Sequence, residues 1–132
     1  MTSMKRPKPD EANAKDRGGI GQENPKPGEW GYLVMWEFRV RPGMVKTFER
    51  MYGSGGGWAR LFEQDEAYIG AELIRDLKAE RTYLTLDFWT SQKAYEAFRE
   101  KHVAKYEALD RRCEEMTDSE REIGKFVRVP SK

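Results

Sequence analysis

The rhythm of hydrophobic and polar positions changes several times along this chain, and each change predicts an element. From Tyr32 to Val40, Tyr32, Val34, Trp36, Phe38 and Val40 alternate with Leu33, Met35, Glu37 and Arg39. A period of two marks a strand. Both of its faces are apolar over the first half, which predicts a central strand covered on both sides. Arg41-Pro42-Gly43 stops it, and Val45, Phe48 and Tyr52 predict a helix from about Met44. Gly53-Ser54-Gly55-Gly56-Gly57 then interrupts the pattern. A glycine-rich loop before a helix can cradle phosphate with its backbone N–H groups, but no Lys-Ser or Lys-Thr follows and no strand feeds the loop. A flexible joint between two helical pieces is the simpler reading. The second piece carries Trp58, Leu61 and Phe62.

Ala67 to Arg75 reads as a second strand, with Gly70 as a bulge or a point of close approach. The short polar link Asp76 to Glu80 suits an antiparallel hairpin with the next strand. There Tyr83, Thr85, Asp87 and Trp89 alternate with Thr82, Leu84, Leu86 and Phe88. Thr90 and Ser91 supply a side-chain oxygen for a helix start. Tyr95, Phe98, His102, Tyr106, Leu109, Cys113 and Met116 then recur every three or four residues, which predicts one continuous helix to about Met116. Thr117-Asp118-Ser119-Glu120 resembles a fresh helix start ended by Gly124. Lys125 to Val129 is read as the last strand, closed by Pro130.

The order β-α-β-β-α-β predicts an α+β fold, the ferredoxin-like split βαβ sandwich, with an antiparallel sheet and helices on one face. The strands carry apolar residues on both faces, so the open face needs a cover. A homodimer packed sheet against sheet would supply it.

Composition narrows the rest. The 132 residues suit a single domain. Residues 1–29 are rich in Lys, Pro, Gly, Asn and Asp, with Ile20 the one large aliphatic side chain. They are expected to form a disordered tail ahead of a domain over residues 30–130. Lys and Arg number 24 against 23 Asp and Glu, so the net charge of +1 gives no general attraction to nucleic acid, and no basic stripe accompanies Trp36 or Tyr83. No apolar run approaches the ~20 residues that span a bilayer, and the N-terminus has no apolar run of signal-peptide type. The single cysteine, Cys113, rules out an internal disulfide and fits a reducing, cytoplasmic setting. One histidine and one cysteine are too few for zinc. The acidic positions Glu114, Glu115, Asp118, Glu120 and Glu122 are interleaved with Arg111, Arg112 and Arg121, as on a solvated helix face. No metal is expected.

His102, the only histidine, has the proton affinity for general base work near neutral pH. Asp87 is a second candidate for the chemistry; its structural alternative is a carboxylate paired across the sheet with Arg39. Trp36, Tyr83, Trp89 and Phe98 could wall a planar ligand, or simply form core.

The stretches YLVMWEFRVRPG, YLTLDFWTSQKAYEAF and KFVRV together resemble the antibiotic biosynthesis monooxygenase-like proteins of the dimeric α+β barrel superfamily, over about Tyr32 to Val129. The resemblance implies a dimeric α+β barrel. It also implies cofactor-independent oxygenation of an aromatic, phenolic or quinone-like small molecule, with no bound cofactor. Members without chemistry share the fold, so the alternative is a non-catalytic dimeric small-ligand-binding or interaction module. The heme-degrading branch uses an Asn on the first strand and a Trp and a His on the long helix. Here those positions fall on Trp36, on Phe98 and near Ala108, so the resemblance does not extend to heme degradation.

Overall fold

A computed structural model describes residues 29–130. Apart from Glu29, the expected tail over 1–29 lies outside the described residues. Four strands form one antiparallel sheet: β1 (Tyr32–Val40), β2 (Tyr68–Arg75), β3 (Thr82–Trp89) and β4 (Thr117–Val127), in the order β2-β3-β1-β4. Helices α1 (Val45–Tyr52), α2 (Gly57–Phe62), α3 (Gln92–Lys101) and α4 (Val103–Cys113) occur in the two crossovers. A 3-10 turn, Glu114–Met116, leads into β4. This is the ferredoxin-like α+β architecture, with the helices on one face of the sheet.

Strand alternation decides which side chains meet the helices. On β1, Tyr32, Val34, Trp36, Phe38 and Val40 are buried in one core cluster with Phe48, Trp58, Phe62 and Phe98. Register places Tyr83 opposite Phe38 and Trp89 opposite Tyr32, so these two β3 residues share that helix-covered face. The core is strongly aromatic. Phe48 stacks on Tyr52 at 4.3 Å between centroids, and Trp89 meets the edge or face of Phe62, Tyr68, Tyr95 and Phe98 at 5.0–5.4 Å. Such tilted and offset pairs suit the ring quadrupoles and add to the burial itself.

The local signals at the turns act as read. Gly43 adopts φ +86°, a left-handed conformation that costs a side-chain-bearing residue more. The Asp76 carboxylate accepts from the Lys78 and Ala79 backbone N–H groups at 2.7 and 2.8 Å, and this organises the β2–β3 hairpin. The Ser91 hydroxyl accepts from the Ala94 N–H at 3.1 Å and caps α3. The bulge expected at Gly70 falls one residue earlier: the β2–β3 register slips between Tyr68 and Gly70 and leaves Ile69 unpaired, while an added Cβ at Gly70 would meet nothing within 4 Å, so no close approach forms there.

Two further expectations are corrected. The stripe from Tyr95 to Met116 is not one helix. It breaks at His102, whose φ of −115° and ψ of 28° leave the helical region. The two halves serve different partners: α3 lays Tyr95 and Phe98 on Trp89, whereas α4 sets Tyr106 edge-on to Trp58 at 5.0 Å and Leu109 against Gly57. The second correction concerns Thr117 to Gly124, which is strand rather than helix. β4 pairs with β1 from Val40↔Thr117 to Tyr32↔Val127, and this ladder outweighs a local cap-like signature. The register slips between Met35 and Trp36, leaving Ile123 as the bulged residue. Gly124 next to it admits the Phe126 ring, whose Cζ would lie 2.8 Å from an added Cβ.

Candidate functional site

His102 sits in the one-residue joint between α3 and α4. Its backbone still serves both helices: its N–H donates to Phe98 O at 3.0 Å, and its carbonyl accepts from the Tyr106 N–H at 2.9 Å. The imidazole lies on the Phe98 ring, 4.9 Å between centroids. Its Nε2 is buried and has no hydrogen-bond partner. Phe98 in turn rests on Trp89 at 5.0 Å, and the Trp89 indole N–H is also buried without an acceptor. A buried polar atom without a partner costs stability, so two of them against one ring make this the first place to look for a ligand.

Register separates the other expected site residues. Asp87 lies opposite Val34 and Ala71 on the helix-covered face, two positions from Trp89, and is buried. Arg39, suggested as its partner, stands opposite Thr82, on the other sheet face, and is exposed. The pairing across the sheet therefore does not form. Trp36 lies opposite Thr85 and stacks on Phe38 at 6.2 Å. Tyr83 is six residues from Trp89 along β3, a separation of roughly 20 Å at the rise of an extended strand. Trp89, Phe98 and His102 thus form one group, with Asp87 adjacent to it on the strand. Tyr83 belongs to the opposite end of the sheet, and Trp36 lies between.

Around Tyr83 there is a distinct setting. Its hydroxyl donates to the Glu49 carboxylate of α1. Burial first, and then this hydrogen bond, pushes the phenol up to about 12, with Arg75 opposing. At the far end of β1, Tyr32 stacks obliquely on Tyr95 at 5.6 Å. Burial raises its phenol well above the ordinary range, reinforced by Tyr95, Glu96 and Glu122. Both phenols are therefore hydroxyl donors at neutral pH.

Sequence reasoning passed over several of these groups. Arg99 is 4% exposed, donates to the Tyr95 hydroxyl at 3.0 Å and lies 3.8 Å from the Tyr106 ring centroid. A signal for it existed, because aromatics stand four before and seven after it on the stripe. Glu49 gave no signal, since only the tertiary fold brings α1 beside β3. Among the described residues, no group of three or more His, Cys, Asp or Glu could hold a metal ion. Nor is any described helix long and apolar enough to cross a membrane.

The four-stranded antiparallel sheet under a one-sided helical layer places the protein in the ferredoxin-like α+β class. Within that class, residues 31–109 match the family model described as antibiotic biosynthesis monooxygenase, and the chain belongs to that family. No curated protein matches the chain. Among solved structures, it is similar to SnoaB, a cofactor-independent oxygenase from Streptomyces nogalater, with 16% identity and a TM-score of 0.54 over 78% of this chain and 97% of that one. It is also similar to a dimeric ferredoxin-like protein from an uncultured marine organism, with 11% identity and a TM-score of 0.59 over 81% and 95% of the two chains. A NIPSNAP domain protein from Burkholderia xenovorans shares 17% identity and a TM-score of 0.56, over 74% and 94%. At these identities the likeness is one of fold.

Proposed function

We propose that this protein is a cofactor-independent monooxygenase acting on an aromatic, phenolic or quinone-like small molecule, with His102 as general base. The observation that carries the reading is the buried, unpartnered Nε2 of His102 beside the Phe98–Trp89 wall, in a chain of this family. An acceptor nitrogen is the group needed to take a proton from an acidic phenol or an enolisable C–H. The resulting electron-rich carbanion passes electrons to dioxygen, and a C–O bond forms. Loss of one water from the peroxide leaves the new carbonyl. The substrate supplies all the electrons, so one oxygen atom enters product and the other leaves as water. The Trp89 N–H would stabilise the developing oxyanion, and Phe98 would hold the ring flat. Asp87 stands next to Trp89 on the strand and would orient the substrate. Trp36 and Tyr83 lie further along the sheet and would act only on a long substrate.

The test is oxygen uptake with a panel of anthrone-type phenols, comparing wild type with His102→Ala and His102→Gln. A fall of about 10²-fold or more is expected, the usual contribution of a positioned base. Equal rates in wild type and both variants would remove His102 from the mechanism.

A second reading has its own observation. Trp89 and Phe98 are both fully buried in aromatic packing, as core residues of a non-catalytic dimeric binding module would be. No turnover of any phenol, together with saturable binding of one, would favour that module.

We further propose that the folded unit spans residues 30–130 and forms a homodimer through its helix-free sheet face. Supporting this, Met35, Leu84, Leu86 and Phe88 are only half-buried there, and Ile74 and Phe126 are exposed. The lone buried thiol of Cys113 is in keeping with a cytoplasmic protein.

A further inference from the structure

At the end of the sheet away from His102, an open groove of about 390 Å³ lies between edge strand β2, the start of β3 and the α1–α2 loop. Besides Glu72, two groups of opposite charge line it, Glu49 from α1 and Arg75 from β2. They form no ion pair with each other, and neither has an ion-pair partner among the described residues. The Tyr83 hydroxyl donates to the Glu49 carboxylate. Leu73 lies opposite Thr85 and Ala71 opposite Asp87, so both present apolar surface on the same face. Glu72 also borders the groove, but by register its side chain belongs to the Leu86 face, so it contributes mainly the rim. Ser54 at the loop adds a hydroxyl.

An anion alone would meet Glu49, and a cation alone would meet Arg75. A molecule carrying both charges meets neither penalty. We propose that this groove binds a small zwitterion of amino-acid size, its ammonium on Glu49, its carboxylate on Arg75 and an apolar side chain against Leu73 and Ala71. The Tyr83 hydroxyl keeps Glu49 in place, so that little side-chain order has to be gained on binding. Arg is suited to the carboxylate because its planar fork donates two parallel N–H groups. The site does not rest on the monooxygenase reading: it shares only Tyr83 with the residues named there and lies at the other end of β3 from Trp89.

Calorimetric titration of the full chain tests this with three probes: L-leucine, leucinamide (cation only) and 4-methylpentanoate (anion only). Leucine should bind, and each single-charge probe should bind at least about tenfold more weakly, because each forfeits one charge-assisted hydrogen-bonded contact. Glu49→Gln and Arg75→Gln should each weaken leucine by a similar factor. Both side chains face solvent, so the two variants should keep the wild-type circular dichroism spectrum. The inference is overturned if leucine shows no binding up to about 10 mM, an affinity at the weak end for small ligands. It is equally overturned if 4-methylpentanoate or leucinamide matches leucine, or if either variant binds leucine as wild type does. Oxygen uptake by Glu49→Gln and Arg75→Gln should equal that of wild type, so this outcome is separate from that of the His102 variants.

Discussion

Replacing Tyr83 with Phe removes one hydroxyl and keeps the ring on Phe48, 5.1 Å between centroids. The lost bond is to a carboxylate, a type worth about 1.5–3 kcal/mol when both groups are dry. Glu49 faces the groove and regains water, so a loss of about 1 kcal/mol at pH 7 is expected. The alkaline limb gives a sharper signature. An ordinary phenol titrates near 10, whereas that of Tyr83 is pushed up to about 12 in the folded protein. Below pH 10 both states hold the proton and the full stability is present. Between pH 10 and 12 the unfolded chain ionises first, so stability falls as pH rises. The fall approaches ~1.4 kcal/mol per pH unit, or about 2 kcal/mol over the interval once groove solvent is allowed for. The Phe variant lacks this component. It should therefore be less stable than wild type at pH 7, and the two should draw level near about pH 11. Tyr32 contributes equally to both proteins and cancels. Urea unfolding followed by tryptophan fluorescence at half-unit steps from pH 7 to 11.5 measures the difference. Parallel stability curves across the whole range would refute the reasoning.

Phe98→Ala empties a fully buried ring site touching Phe62, Trp89 and His102. It should destabilise by about 3–5 kcal/mol in chemical unfolding; a loss under about 1 kcal/mol would mean that the ring borders open space rather than core. Leu86→Asp places a charge at the centre of the helix-free sheet face. Sedimentation should show wild type as a dimer and this variant as a monomer, and a wild-type monomer at micromolar concentration would refute sheet-to-sheet pairing.

Much of the architecture is legible from short-range pattern. β1 and β3 show a period of two, Arg41-Pro42-Gly43 ends β1, and Ser91 caps α3. Each of these rests on interactions spanning a few residues, which a sequence displays directly. The failures fall where distant partners decide. The segment Thr117–Gly124 carries a helix-like cap signature, yet β1 offers a ladder along its whole length, with two register slips, and it becomes strand. The aromatic stripe after Ser91 is apolar at helical spacing throughout. It divides at His102 because Tyr95 and Phe98 pack on Trp89 while Tyr106 packs on Trp58.

The same division runs through the candidate site. His102, Asp87 and the aromatic residues are visible in the sequence by residue type and by their place on an apolar face. Their grouping is not visible. Strand rise puts Tyr83 and Trp89 at opposite ends of β3, and register puts Arg39 on the wrong face to meet Asp87. Glu49 and Arg75 come from elements that neighbour one another only after the crossover folds back over β2 and β3, so only the tertiary structure sets them around one groove. Periodicity and turn chemistry are local and additive, and they determine most of the elements and the class of fold. Which polar atoms face one another is a matter of long-range packing. That packing alone leaves the His102 nitrogen buried without a partner.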